Sequence, residues 1–173
     1  MVSQPPDSGH RPFFQLVAGL AAEDAIGPVM QVMQQAFDPL FGEAWNHSQT
    51  RSMLAMPLTR VLLAEAPGPV QPEGQGGTIG FAMTRRVADE EELLLIAVAP
   101  KWRQYGVGSA LLAEVIDDAK EAGVNRLHLE MRSNNSAIHL YQKFGFKQVG
   151  VRRNYYKGDD SQHYDALTLA IEI

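Results

Sequence analysis

The segment best suited to chemistry in this 173-residue chain is Arg103-Gln104-Tyr105-Gly106-Val107-Gly108-Ser109, set between an apolar run that stops at Pro100 and a stretch with helical spacing. Glycines at a helix entrance let the backbone approach a ligand closely. The unpaired amides of the first helical turn, reinforced by the helix dipole, suit a phosphate or pyrophosphate. Arg103 adds a positive charge at the rim. The same glycines also serve a plain strand-to-helix turn, so spacing has to separate the phosphate-binding alternatives. A Walker loop requires Gly-Lys-Ser/Thr, and no such string occurs. The dinucleotide fingerprint fits in part, because Gly106 and Gly108 are followed by Glu130 near the place of a ribose-binding acid. Against it, the third small position is Leu111, and the glycines begin six residues beyond Pro100.

The elements that must position this loop are readable from periodicity. Strands are predicted at Phe13–Leu16, Thr59–Ala66, Thr78–Val87, Glu92–Ala99, Asn125–Met131, Phe146–Tyr155 and Tyr164–Ile173. Glu92–Ala99 reads as a central strand buried on both faces, because its residues 93–98 are an unbroken apolar block. Helices are predicted at Ala22–Phe37, at Ser48–Met56 with Ser48 as cap, at Gly106–Ala122 and at Ser136–Phe144. Val107, Leu111, Leu112, Val115, Ile116 and Ala119 give the third of these the clearest apolar face. Pro67–Gly77 reads as a loop and Lys157–Asp160 as a turn. The order is an α/β (α+β) arrangement in one domain, residues 13–173, preceded by a polar tail over 1–12.

In that order, Val98-x-Pro100 followed by Arg103-x-x-Gly106-x-Gly108 resembles the pyrophosphate-binding motif of the GNAT N-acetyltransferases. Further along, Leu129-Glu130-Met131-Arg132-Ser133-Asn134, Ala137-Ile138-x-Leu140-Tyr141, Gly145-Phe146 and Arg152-Arg153-Asn154-Tyr155-Tyr156 are similar to the RimI-like branch, which acetylates protein N-terminal amines. The resemblance runs from about Leu93 to Tyr156. It implies a mixed, mostly antiparallel sheet of six to seven strands with helices on both faces, and acetyl-coenzyme A as acetyl donor. It also implies that backbone groups of Ile96, Ala97 and Val98 pair with the pantetheine arm, that Gln104, Tyr105, Gly106, Val107, Gly108 and Ser109 wrap the pyrophosphate beside Arg103, and that Asn134 hydrogen-bonds the coenzyme arm. Glu130 matches the general base and Tyr141 the general acid, with Glu92 as the alternative base.

These roles make chemical sense. Acyl transfer to an amine needs a neutral nucleophile, a donor to the acyl oxygen, for which the Val98 amide is placed, and a proton for the leaving thiolate. The sequence departs from the branch pattern by one residue fewer between Arg132 and the Ser133-Asn134 pair, and by Lys157-Gly158 where the branch has a proline. A strand over Tyr155 and Tyr156 sends the two rings to opposite faces, leaving one for the acceptor slot. Phe37–Ser48 and Pro67–Gly77 are the acceptor loops, while Phe41 and Trp45 read as core residues.

Composition narrows the rest. With no cysteine, the chain has no disulfide, thiolate zinc site, iron–sulfur cluster or cysteine nucleophile, so direct transfer is the economical mechanism. His10, His47, His128, His139 and His163 lack metal-ligand spacing, and no metal is expected. A formal charge of -5 argues against a broad grip on nucleic acid. No apolar run reaches the roughly 18 to 20 residues that span a bilayer, and Met1–Pro12 lacks the pattern of a secretion signal. A cytoplasmic location, no membrane partner and a homodimer as an option follow. Three functions remain at this stage: acetylation of a peptide or protein N-terminal α-amine, acetylation of a small-molecule amine, and non-catalytic acyl-coenzyme A binding, which would have no use for Tyr141.

Overall fold

Side chains that alternate along the strands sort two apolar clusters onto opposite faces of one sheet. A computed structural model describes residues 14–67, 77–158 and 162–173. The expected tail, Phe13, most of the Pro67–Gly77 loop and Asp159-Asp160 of the expected turn lie outside the described residues. The strands are β1 (Gln15–Ala18), β2 (Thr59–Ala66), β3 (Gly77–Val87), β4 (Glu90–Val98), β5 (Arg126–Arg132), β6 (Lys147–Lys157) and β7 (His163–Glu172). They lie in the order β1-β2-β3-β4-β5-β7-β6, and among the described residues β4–β5 is the one parallel pair. The helices are α1 (Ala22–Ala36), α2 (His47–Leu54), α3 (Val107–Glu121) and α4 (Ile138–Lys143). The sheet and its helices have the arrangement that the resemblance implies.

Leu62, Ala64, Ala82 and Leu93 pack with Leu111, Leu112, Val115 and Ile116 of α3 on one face. Val61, Leu63, Phe81 and Met83 pack with Ala25, Val29, Val32 and Met33 of α1 on the other. Odd and even positions part in this way because the strand repeat is two. Leu111 and Leu112 are fully buried, and each such side chain contributes about 1.5–3 kcal/mol. Close packing of α3 on β3 requires Gly80, where an added Cβ would sit 3.0 Å from the Ala97 carbonyl, 3.1 Å from Val107 Cγ1 and 3.2 Å from Leu111 Cδ1.

Three expectations are corrected. The first strand begins two residues later than predicted, because its place is set by pairing with β2, Gln15 opposite Glu65 through Ala18 opposite Leu62. The cap of α2 is Asn46 rather than Ser48: its Oδ1 accepts the Gln49 N–H at 2.9 Å, and Gln49 Oε1 accepts the Asn46 N–H at 2.8 Å. This reciprocal pair satisfies two amides at once, which a serine two residues inside the helix cannot do.

The third correction matters most. Met83 pairs with Leu95 and Thr84 with Leu93, so Leu94 is an extra residue in β4, a bulge that bends the strand. The parallel ladder to β5 ends at Leu93 opposite Leu129. Beyond that pair β4 is held only by β3 and β5 only by β7. Leu94, Leu95 and Ile96 are therefore half-buried rather than enclosed on both faces.

Candidate active site

The parting of β4 from β5 leaves one edge of β4 open. The Ala99 N–H donates to the Ile79 carbonyl at 2.8 Å, so strand alternation turns the Ala97 backbone to β3 and the Ile96 and Val98 backbones to the open edge. Arg103 confirms the direction, since its Nε donates to the Val98 carbonyl at 3.2 Å. Of the three backbone positions expected to meet a ligand arm, Ile96 and Val98 face the gap and Ala97 does not.

The loop after β4 is concave because two residues adopt positive φ, Gln104 at 68° and Gly106 at 81°. Gly106 caps α3, and its carbonyl accepts the Ala110 N–H at 2.9 Å. The amides of Val107, Gly108 and Ser109 thus stand at the helix entrance without intrahelical acceptors. The Val107 side chain is 1% exposed and belongs to the core, whereas Tyr105 points outward and packs edge-on against Trp102 at 6.1 Å. Only their backbones are available to the loop. Arg103 does more than lend charge to the rim. Its Nη2 donates to the carbonyl of Ala36, the last residue of α1, at 2.7 Å. One guanidinium therefore ties a helix C-terminus to the end of β4, a favourable place for a cation.

Two cavities adjoin along this gap. One, of about 500 Å³, is lined by Ile96, Ala97, Val98, Arg103, Gln104 and Gly108 together with Arg132, Asn135 and Ala137. The other, of about 380 Å³, is lined by Glu92, Leu94, Ile96, Glu130, Tyr141, Tyr155 and Tyr156, with Phe37, Glu43 and Trp45 from the loop after α1. Phe37, Glu43, Ile96 and Asn135 line both. Both volumes lie in the range of small-molecule sites.

Within the second cavity, Glu130 Oε2 accepts from Arg152 Nε at 3.0 Å and also from Arg152 Nη2. Glu92 has Arg85 3.7 Å away. Tyr141 is buried, with its ring edge-on to Phe146 at 5.8 Å, and its hydroxyl has no hydrogen-bond partner among the described residues. Burial pushes this hydroxyl above the ordinary tyrosine range, so it stays protonated. Tyr156 is pushed up to about 12, first by burial and then by the carboxylates of Glu130 and Glu43.

The two tyrosines of β6 do not go to opposite faces as a regular strand predicts. The register slips between Arg152 and Tyr156, Asn154 has φ 56°, and its N–H donates to Asp165 Oδ1 at 2.9 Å. This irregularity brings both rings to the cavity, 5.1 Å apart and nearly perpendicular.

The shortened loop after β5 places its asparagines differently from the expectation. Asn134 is exposed, accepts from Arg132 Nη1 and lines neither cavity. Asn135 lines both, with its Oδ1 held by the Ala137 N–H at 3.0 Å. Arg132 itself is buried, donates to Glu43 at 3.2 Å and lies 3.4 Å above the Phe41 ring, which pins the loop after α1 to the end of β5. Phe41 belongs to neither apolar cluster, contrary to its core reading, and is half-buried against Arg132 and Tyr164, whereas Trp45 both packs on the core and lines the second cavity. Glu43, Asn135 and Arg152 were not singled out from the sequence. Only the Arg152-Arg153 doublet beside the tyrosines hinted at one of them.

Comparison with known proteins identifies the family and the fold. Residues 59–148, just over half of the chain, match the model of the acetyltransferase (GNAT) domain. The [ribosomal protein bS18]-alanine N-acetyltransferase of Haemophilus influenzae is 42% identical over 92 residues, covering 53% of this chain and 63% of that protein. Its Escherichia coli K12 counterpart is 42% identical over 99 residues, covering 57% and 66%. The matched regions thus span just under two thirds of these relatives. The crystal structure of the Escherichia coli ribosomal-protein-S18-alanine N-acetyltransferase superposes with a TM-score of 0.76 at 29% identity, covering 92% of this chain and 94% of that one. The chain belongs to the GNAT acetyltransferase family.

Proposed function

We propose that this protein transfers the acetyl group of acetyl-coenzyme A directly to an amine, and that the acceptor is the N-terminal α-amine of a protein or peptide. The observation that carries the reading is the meeting of the two cavities at Ile96 and Asn135, with Glu130 and Tyr141 together on the acceptor side.

The residues present fit the coenzyme. The amides of Val107, Gly108 and Ser109 and the positive-φ turn at Gln104 and Gly106 form an anion cradle. The open edge at Ile96 and Val98 offers hydrogen bonds to an amide-containing arm, and Asn135 stands beside it. Bound acetyl-coenzyme A supplies the activated acyl group and the only reactive sulfur at the site.

On the acceptor side, Glu130 takes the amine proton and Tyr141 gives its hydroxyl proton to the departing sulfur. The Val98 N–H, on the open edge, donates to the acyl oxygen. Burial keeps the Tyr141 hydroxyl in the protonated form that a donor requires. Glu43, Glu92 and Glu130 line the acceptor cavity, each beside an arginine, Arg132, Arg85 and Arg152 respectively. An α-amine near pKa 8 is deprotonated at pH 7 for roughly 1.4 kcal/mol, against about 4.6 kcal/mol for a lysine amine near 10.4. That difference, together with the alanine specificity in the names of the relatives, favours an N-terminal acceptor.

The test is release of coenzyme A by the protein with a panel of N-terminal peptides and small amines. Selective turnover of particular peptides is expected, with Glu130→Gln strongly impaired. A flat response across peptides, or turnover confined to small amines, overturns the acceptor assignment.

A further inference from the structure

We infer that Arg152 is a positioning residue for Glu130, holding one carboxylate oxygen so that the other faces the acceptor amine. This rests on the proposed reaction at the same site.

Both donations from Arg152, from Nε and from Nη2, go to Glu130 Oε2, and Oε1 has no partner among the described residues. A guanidinium fork on a single oxygen fixes the carboxylate's rotation while leaving the second oxygen free for a proton. The fork is itself held. The Arg152 guanidinium lies 4.5 Å from the Tyr155 ring centroid, and Tyr155 is placed by the same β6 irregularity that the Asn154–Asp165 bond secures. Tyr155 and Tyr156 thus line the cavity from an edge strand, and Arg152 of the same strand holds Glu130 from outside the lining.

Stability is not the reason for this pair. The Arg152 side chain is 58% exposed and that of Glu130 23%, and ion pairs open to solvent to this degree contribute little to folding. What the contact does control is the direction of the carboxylate, and a displacement of about 1 Å in a reacting group costs on the order of 100-fold in rate.

The experiment is a double-mutant cycle on acetyl transfer to a peptide that the unsubstituted protein turns over. Arg152→Gln is expected to lower kcat on the order of 10- to 100-fold, with the KM for acetyl-coenzyme A and the thermal midpoint little changed. In a Glu130→Gln background the same substitution should cost less than about twofold, because no carboxylate remains to be oriented. Arg152→Lys, which keeps the charge but not the fork, should recover part of the loss. Arg153→Gln, one residue on and without an ion pair among the described residues, should match the unsubstituted protein. An unchanged kcat for Arg152→Gln, or an equal loss in the Glu130→Gln background, overturns the inference. Absence of transfer by the unsubstituted protein to any amine overturns the proposed reaction first, and this inference with it.

Discussion

Leu93 and Leu129 form the last pair of the parallel β4–β5 ladder, and the two strands part beyond them, where Ile96, Val98 and Glu130 lie. Up to that pair the two strands share hydrogen bonds. Past it, the bulge at Leu94 bends β4 away, and the open edge at Ile96 and Val98 faces the gap that Glu130 lines from β5. A regular strand would have closed the sheet and left no room for a ligand arm.

Tyr141 tests the acid. Tyr141→Phe keeps the ring packed against Phe146 and removes only the hydroxyl. Turnover is expected to fall about 10²- to 10⁴-fold, while the affinity for coenzyme A, measured by calorimetry, stays the same. Full turnover in this variant would exclude Tyr141 as proton donor, and no transfer in either form would favour an acyl-coenzyme A binding module.

The Arg103 clamp joins the carbonyls of Val98 and Ala36 at 3.2 and 2.7 Å. Arg103→Ala should loosen the pyrophosphate loop together with the end of α1. Steady-state kinetics should show this as a raised KM for acetyl-coenzyme A with a smaller change in kcat. A loss confined to kcat would mean that the clamp does not shape the coenzyme side.

Gly80 probes the packing behind the cleft. The added methyl of Gly80→Ala meets backbone and two buried side chains at 3.0 to 3.2 Å, which should destabilise the fold by about 1–3 kcal/mol. Chemical denaturation measures it, and a midpoint unchanged from the parent would show that α3 can move off β3 freely.

Alkaline stability follows from Tyr156. Its folded value is pushed up to about 12 from an ordinary value near 10. Below pH 10 the phenol is protonated in folded and unfolded chains alike, so the folded form keeps its full stability. Between about pH 10 and 12 only the unfolded chain ionises, and stability falls as pH rises. Tyr141 acts in the same direction. Thermal melts across this window should show the decline, and Tyr156→Phe should flatten it.

Local signals account for what could be read in advance. Apolar spacing located the helix at Val107, which begins one residue after the predicted start, and turn residues bounded strands such as Thr59–Ala66. The glycine loop was legible because its shape depends on backbone conformation at neighbouring positions, and Glu130 and Tyr141 were marked by motif. Element ends and caps were less legible. A serine near a helix start is a weak guide when the asparagine two residues earlier can close a reciprocal bond with Gln49.

By itself, then, the sequence determined the element order, the helix-entrance loop and the absence of any cysteine chemistry, since these depend on residue type and short spacing. The tertiary structure alone decided where the sheet opens, that Asn135 and not Asn134 lines the cavities, that both Tyr155 and Tyr156 line the cavity of Glu130, and that Arg152 holds Glu130. Each of these rests on a bulge, a register slip or a contact between residues distant in the chain. A strand's alternation carries no mark of where it will be broken until its neighbours are in place.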